Sequence, residues 1–251
     1  MKNNLNSETN IIEEIKNKIN KIQLINPDLF DNINNSILQI NKELNSIISF
    51  EENKSSSIKK LKKFDGIKKL QIGGGSRNLD GYINLDIFQP TDIVWDIRSG
   101  LPFQDNRFEE IFCEHFFEHL DFPKSAILFL NEAFRTIKKG GLLKIVVPDC
   151  GKSLKEYNLN NKKYFNAIKK ICFSKRLSTM EINSNLDVIN YLFRDQFDNP
   201  KYTVHWWGYD NKNLTQMLKN SGFNLVKKWK FDKIICNPKR KYYSLYLIAK
   251  K

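Results

Sequence analysis

The chain has 251 residues with a net charge of +13, and 41% of its residues are hydrophobic, which is typical of a folded protein and excludes an intrinsically disordered chain. No apolar run approaches the roughly 20 residues that a membrane helix needs, and the first residues lack the pattern of a secretory signal, so we expect a cytoplasmic protein without a transmembrane segment. The four cysteines form no CxxC pair, which favours reduced thiols over a zinc site or a disulfide framework.

Residues 1–50 predict a helical extension. Isoleucines separated by three or four residues form two short stripes, one before and one after Pro27. Each stripe is about two heptads long, which leaves two alternatives: a helical hairpin that packs on the rest of the chain, and a coiled-coil-like segment through which the protein self-associates. The serine-rich residues 51–63 predict a linker, and residues 64–251 predict the main domain.

The main domain alternates strands and helices, which calls for a mainly parallel sheet covered by helices on both faces. A helix is expected to begin near Pro123, to bury Ile127 among its apolar residues and to stop at Gly140. Residues 152–195 predict a lysine-rich helical insert, and the last two apolar runs predict an antiparallel hairpin at one edge of the sheet. The parallel strands are predicted over residues 68–73, 82–87, 92–96, 109–113 and 142–148.

Three glycines follow the first strand of the main domain, in the stretch KKLQIGGGSRNLDGYINLDI. A phosphate-binding P-loop would need a Lys-Ser or Lys-Thr pair after them, and none follows. A dinucleotide fingerprint is incomplete, because Asn78 stands where the third glycine belongs and Asp86 comes 13 residues after Gly73 instead of about 20. The glycines therefore either form tight turns or, with an acid at the end of the second strand, approach a nucleoside ligand without phosphates.

The motifs that follow the glycines narrow the choice of ligand. The chain continues with DIVWDIRSGLPFQDNRFEEIFCEHFFEHL and NEAFRTIKKGGLLKIVVPDC, and over residues 67–150 this order of motifs resembles the class I S-adenosylmethionine-dependent methyltransferases. It is most similar to the compact type 11 branch, which reads IGCG…GWINVD…LPF…EHVLEH…KPGG…VPD and is often linked to glycan modification. The stretch HWWGYDNKNLTQMLKNSGF extends the resemblance to about residue 223. The resemblance implies a Rossmann-like α/β fold with an antiparallel C-terminal strand, and S-adenosylmethionine as the cofactor.

The resemblance implies that the strand ends hold this cofactor. Gly73, Gly74 and Gly75 would let its methionine part approach the backbone, although Gly74 stands where many relatives have Cys or another small residue. Asp86, followed by Ile87, would accept both ribose hydroxyls, which suits a carboxylate because its oxygens only accept hydrogen bonds. On the alternative interpretation, Asp86 merely caps a loop.

Two further acids follow the next strands. By the same resemblance, Asp96 accepts the adenine amino group, Ile97 lies beside the adenine ring, and Glu114 lies beside the methionine part and the reacting methyl group. Alternatives stay open for both acids. Asp96 is otherwise a solvated residue at a strand end, and Glu114 is otherwise an ion-pair partner of Arg77 or Arg107.

Few residues are candidates for chemistry at the acceptor. The only histidines are His115, His119 and His205, and His is the side chain best suited to proton transfer near neutral pH. We predict His205 as the general base for a hydroxyl acceptor, because aromatic residues adjoin it in VHWWGYD, with His119 and Asp149 as further candidates. A structural hydrogen-bonding role for His119 is the alternative. His115 and His119 lie four residues apart, but no third ligand is evident, so no metal site is predicted.

The sequence therefore predicts transfer of a methyl group to a small-molecule or saccharide acceptor, by O- or N-methylation. Residues 211–251 hold 11 basic residues and one acidic residue, which favours an anionic acceptor unless the basicity is only compositional. A nucleic-acid methyltransferase is a second hypothesis, although no known nucleic-acid-binding domain is recognised. A non-catalytic methyltransferase-like interaction module is the third, and the three intact acids argue against it.

Overall fold

The computed structural model describes residues 13–15, 17–19, 27–173, 182–194 and 204–251. The chain divides into two compact units, Met1–Lys59 and Lys60–Lys251. Every candidate site residue lies in the second unit. Within the described part of the chain, no helix is long and apolar enough to cross a membrane.

The first unit is dominated by one helix, α1 (Pro27–Lys60), which is 34 residues long. It begins at Pro27, whose fixed φ suits the first turn of a helix. The predicted linker at residues 51–63 is not irregular, because residues 51–60 continue α1 and Leu61–Phe64 form a 3-10 helix. No glycine or proline interrupts this stretch, and serine lowers helix stability by only about 0.5 kcal/mol relative to alanine. The predicted helix before Pro27 lies largely outside the described residues, and self-association stays a prediction.

The second unit contains a seven-stranded sheet in the order β3-β2-β1-β4-β5-β7-β6. Strands β1 to β5 are parallel to one another, whereas β7 runs antiparallel to both β5 and β6. This confirms the predicted mainly parallel α/β fold with an antiparallel C-terminal strand. The strands are β1 (Lys69–Ile72), β2 (Ile83–Asp86), β3 (Ile93–Val94), β4 (Phe108–Glu114), β5 (Ile137–Pro148), β6 (Leu225–Lys228) and β7 (Ser244–Lys250).

Five α-helices accompany the sheet in the described part of the second unit. Three of them occupy the segment where the sequence predicts a helical insert. The last helix, Asn211–Asn220, is capped by the Asp210 side chain, which accepts the Asn213 N–H at 2.7 Å. Short 3-10 helices cover Ile97–Ser99, Phe117–His119 and Pro238–Arg240. The α-helices are α2 (Lys124–Thr136), α3 (Cys150–Asn158), α4 (Lys162–Phe173), α5 (Asn185–Phe193) and α6 (Asn211–Asn220).

Helix α2 differs from its prediction in two respects. It ends at Thr136 and not at Gly140, because Ile137 is already extended and pairs with Phe108 as the first residue of β5. Ile127 was predicted to be buried, and this was wrong: its side chain is 45% exposed. The buried stripe runs at the helical spacing through Ala126, Phe129, Leu130 and Ala133, so Ile127 falls beside the stripe and not in it.

The candidate residues follow the carboxyl ends of the parallel strands. These ends lie side by side at one end of the sheet, which is where open α/β sheets bind ligands. The chain leaves β4 there through the turn 115–119. The segment 204–210 reaches the end of β5, because Asp149 and Tyr209 form a bridge and the Cys150 N–H donates to the Tyr209 carbonyl at 3.0 Å.

Candidate functional site

The glycine loop after β1 is packed tightly against the turn that follows β4. Gly73 has a φ of +69°, a left-handed conformation that favours glycine. A Cβ atom at Gly73 would overlap the ring of Phe116, and one at Gly74 would lie 2.5 Å from Gln71 Nε2. The absence of side chains is therefore required by the protein's own packing, whatever ligand the loop also approaches.

Asp86 at the end of β2 is joined directly to the glycine loop. Its Oδ2 accepts the Gly75 N–H at 2.8 Å, and its Oδ1 accepts the Phe88 N–H at 3.1 Å. Ile87 follows it and is half-buried. Both the predicted ligand role and the alternative of a loop cap are compatible with this geometry, because each carboxylate oxygen that accepts one N–H retains a further lone pair.

Asp96 lies beside the end of β2, since the Trp95 N–H donates to the Asp86 carbonyl at 2.8 Å. Its carboxylate caps the 3-10 helix 97–99 by accepting the Arg98 N–H at 2.9 Å. The Arg98 guanidinium also binds it, with Nε at 2.9 and 3.0 Å from the two oxygens. Asp96 is thus ion-paired and not simply solvated, and Ile97 behind it is buried.

Glu114 at the end of β4 is buried and held from two directions. Both of its carboxylate oxygens lie 2.9 Å from the Asn237 N–H, which donates to them, and Arg77 Nη1 lies 3.5 Å from Oε2. Of the two predicted ion-pair partners, Arg77 is the one present, because Arg107 instead donates to the Phe64 carbonyl at 2.6 Å. Burial raises the pKa of Glu114, and the Asn237 N–H and the positive charges of Arg240 and Arg77 oppose that rise.

Arg77 fastens the connection between β6 and β7 over this end of the sheet. Its guanidinium donates to the carbonyls of Ile234, Ile235 and Cys236 at 3.3, 2.5 and 3.2 Å. The connection lies more than 150 residues away along the chain, and sequence reasoning did not assign it to the site. No local pattern in it signals this contact.

The turn after β4 and the segment after residue 203 bring together three residues that we name the Glu118 cluster: Glu118 and His205, which are buried, and His119, which is half-buried. One ligand-type atom from each residue lies within 4.8 Å of one from each of the others. The rings of His119 and His205 are 4.9 Å apart between centroids. Glu118 was not predicted as a site residue, whereas both histidines were.

Glu118 is only 1% exposed, and neither carboxylate oxygen has a hydrogen-bond partner in another described residue. Burial raises its pKa to about 8, although its own amide and the charge of Arg240 act in the opposite direction. Strongly shifted groups of this kind concentrate at functional sites.

His115 adjoins the Glu118 cluster and has an uncommon backbone conformation, with a φ of +51°. Its Nε2 lies 2.7 Å from Ser244 Oγ, and that hydroxyl donates its single proton to the Arg240 carbonyl. Nε2 must therefore carry the ring proton, which directs the Nδ1 lone pair toward Glu118 Oε1, 3.4 Å away. Burial holds the pKa of His115 well below its usual range, so the ring is neutral.

Two other predicted features take different roles. Asp149, a further candidate base, caps α3 by accepting the Lys152 N–H at 2.9 Å. Of the aromatic residues next to His205, Tyr209 is buried, whereas Trp206 and Trp207 are 50% and 42% exposed. Trp207 stacks on Phe122 with 4.4 Å between ring centroids.

Residues 84–145 match a family model described as a methyltransferase domain (Methyltransf_11). The match begins in β2, contains all three strand-end acids and the turn 115–119, and ends in β5. Over these residues the chain carries an S-adenosylmethionine-dependent methyltransferase domain. S-adenosylmethionine is its cofactor.

Several solved structures resemble this methyltransferase. One from Archaeoglobus fulgidus, described as a SAM-dependent methyltransferase, shares 16% identity over 81% of this chain and 96% of its own, with a TM-score of 0.41. Another from Methanosarcina mazei shares 18% identity over 73% and 91% of the two chains, with a TM-score of 0.43. A third from Aquifex aeolicus shares 14% identity over 77% and 88%, with a TM-score of 0.39. No curated protein matches the sequence.

The strand-end residues of the methyltransferase fit the chemistry of its cofactor. The half-buried Asp86 carboxylate retains acceptor capacity for a diol, and it lies at a glycine loop that carries no side chains. Glu114 adds a buried carboxylate at the end of β4, which suits a ligand with a cationic centre. When bound, the cofactor supplies a methyl group on a positively charged sulfonium.

Proposed function

We propose that this methyltransferase methylates a hydroxyl group of a small or saccharide-type acceptor, and that the Glu118 cluster activates that hydroxyl. The observation that supports this proposal is the cluster itself. Two imidazoles and a carboxylate with a raised pKa adjoin the strand end at Glu114, and such groups exchange protons near neutral pH. An acceptor that is already deprotonated would not need them.

The cofactor is held, on this proposal, along the edge formed by β1, β2, β3 and β4. The glycine loop Gly73–Gly75 admits the methionine part, and Asp86 with Ile87 holds the ribose. Asp96 and Ile97 hold the adenine, and Asp96 accepts the adenine amino group in addition to Arg98. Glu114 would lie next to the sulfonium, and Arg77 with Asn237 favours the ionised form of its carboxylate.

Activation belongs to the cluster and not to His205 alone. His205 is buried, and its Nδ1 lies 2.8 Å from the Leu192 carbonyl, so one side of the ring is anchored. On transfer, a new O–CH₃ bond forms, the S–CH₃ bond breaks with its electron pair left on sulfur, and the hydroxyl proton passes to the Glu118 cluster and then to solvent. Asp149, which caps α3, is the less suited of the predicted bases.

Exposed aromatic residues beside the cluster support an acceptor that contains a ring. The Trp206 N–H donates to the Glu118 carbonyl at 2.8 Å, which ties the exposed tryptophans to the cluster. The stack of Trp207 on Phe122 offers a flat apolar surface, and exposed aromatic surface of this kind marks recognition sites. Arg240, which donates to the Glu114 carbonyl at 3.1 Å, supports an acceptor that also carries a negative charge.

The test is release of S-adenosylhomocysteine across a panel of acceptors. The panel contains neutral sugars, sugar phosphates, phenols, primary amines, carboxylic acids and single-stranded oligonucleotides. We expect turnover with hydroxyl compounds, and a fall of roughly 10²- to 10⁴-fold in the Glu118→Gln variant with unchanged binding of S-adenosylhomocysteine. Turnover confined to amines or carboxylic acids, or dependent on oligonucleotides, would overturn the proposal.

A further inference from the structure

We propose that Glu118, His119 and His205 form a binding site for one divalent transition-metal ion. The sequence offered only His115 and His119 at a suitable spacing, and no third ligand was evident there. The fold supplies a different set: it pairs His119 with His205 from a distant segment and brings Glu118 close to both.

The spacing of the three residues fits a single ion. Their ligand-type atoms lie within 4.8 Å of one another. Ligand atoms around a tetrahedral zinc ion lie about 3.4 Å apart, because each bond is about 2.1 Å long. Side-chain adjustments of about 0.7 Å per atom would therefore bring the three residues onto one ion.

Backbone carbonyls fix the tautomer of both histidines. His119 Nδ1 lies 3.1 Å from the Val204 carbonyl, and His205 Nδ1 lies 2.8 Å from the Leu192 carbonyl. A carbonyl oxygen only accepts, so Nδ1 carries the proton in each ring, and in the neutral ring the lone pair is on Nε2. A backbone carbonyl that fixes the ring through Nδ1–H is the outer-shell arrangement typical of metal-binding histidines.

The position of Glu118 leaves its carboxylate to be neutralised by a proton or by a cation. Its buried oxygens have no hydrogen-bond partner in another described residue, and no Lys or Arg in the described part of the chain forms an ion pair with it. The nearest polar atom of His115 is Nδ1, which the Ser244 contact leaves as an acceptor facing Glu118 Oε1. Two acceptors facing each other are stabilised only by a proton or a cation placed at the carboxylate.

The ligand set selects the kind of ion. Two imidazoles and one carboxylate favour zinc or iron(II) over magnesium or calcium, which prefer oxygen ligands alone. Three protein ligands leave at least one coordination position open, as in catalytic and not structural zinc sites. If the proposed function holds, an ion there would attract the acceptor oxygen and lower the pKa of its hydroxyl.

The experiment measures metal binding by the full chain without any acceptor. The protein is treated with a chelator and then titrated with Co²⁺ and Zn²⁺. Calorimetry measures the binding of each ion, and the visible absorption of bound cobalt gives a second measure of Co²⁺ binding. We expect one ion per chain. Glu118→Gln and His119→Gln should each lose more affinity than the roughly 10- to 100-fold that changes in an outer shell cause. Glu109→Gln, which alters an exposed carboxylate paired with Lys138, should bind as the wild type does.

Binding of S-adenosylhomocysteine by each variant serves as the check on folding and separates the two proposals. A folded wild type that binds no ion, or Glu118→Gln and His119→Gln proteins that bind as tightly as wild type, would overturn the metal site. Stoichiometric metal binding without turnover of any hydroxyl acceptor would leave the metal site standing and overturn the proposed function.

Discussion

The Gly75 N–H donates to Asp86 Oδ2 at 2.8 Å, so the loop that ends β1 is fastened to the acid that ends β2. This contact couples the shape of the glycine loop to a carboxylate that is half-buried. Binding and loop conformation should therefore respond together when Asp86 is changed.

Replacing Asp86 with alanine should weaken S-adenosylhomocysteine binding by roughly ten- to a hundredfold. Hydrogen bonds to a charged group contribute about 1.5–3 kcal/mol each, and the variant loses the acceptor for the ribose as well as the brace on the loop. Calorimetry measures the affinity. The matched control is Asp80→Ala, which removes an exposed acid in the same loop and should bind normally. Equal affinities for the two variants would restrict Asp86 to capping the loop.

Gly73→Ala should destabilise the protein by about 1–3 kcal/mol and reduce cofactor binding. The added methyl group would overlap the Phe116 ring at a residue whose φ of +69° already disfavours side chains. Urea unfolding gives the free energy. Gly66→Ala is the control, because a Cβ there meets nothing within 4 Å, and it should change stability by less than about 0.5 kcal/mol. Phe116→Ala in the Gly73→Ala background should restore part of the loss if the overlap is the cause.

The sequence was sufficient to predict the parallel strands, their carboxyl ends and the fold class, although β5 begins at Ile137 and not at residue 142. An apolar run followed by glycines or an acid is a local pattern, and parallel strands place such ends together whatever lies between them. Asp86, Asp96 and Glu114 accordingly lie at or just after the carboxyl ends of their strands, as predicted. The contacts of these acids could not be predicted, because Asn237, which donates to Glu114, lies 123 residues away along the chain.

The Glu118 cluster also depends on contacts that could not be predicted from the sequence. The motif EHFFEHL presents His115 and His119 as the pair on one side of a helical turn. The segment forms a 3-10 turn over 117–119 after a left-handed residue, so His115 points toward Ser244 while His119 meets His205. The left-handed conformation of His115 and the 3-10 turn after it decide that His119, and not His115, contacts His205. The spacing of the histidines in the sequence does not predict this.

Only one of the four cysteines should react rapidly with a thiol reagent in the native protein. Cys113, Cys150 and Cys236 are buried, and burial raises the pKa of Cys150 to about 12 and that of Cys236 to about 11. The thiolate is the reactive form, so little of it exists at pH 8. Cys172 is half-buried and should be the reactive one. Dithionitrobenzoate should titrate one thiol in wild type and none in Cys172→Ser, and all four only after denaturation; fast reaction of two or more native thiols would contradict the buried positions.

Replacing Arg77 with methionine should destabilise the protein more at pH 7 than at pH 4. Burial already raises the pKa of Glu114, and loss of the guanidinium 3.5 Å away would raise it further. A carboxyl whose folded pKa lies above its unfolded value lowers stability as pH rises through that folded pKa and has no effect once it is protonated in both states. Urea unfolding at the two pH values measures the difference, since the three lost carbonyl contacts contribute equally at both. In the Arg77→Met/Glu114→Gln double variant the pH-dependent part should disappear, and a loss that is the same at both pH values in Arg77→Met alone would show that the ion pair contributes nothing.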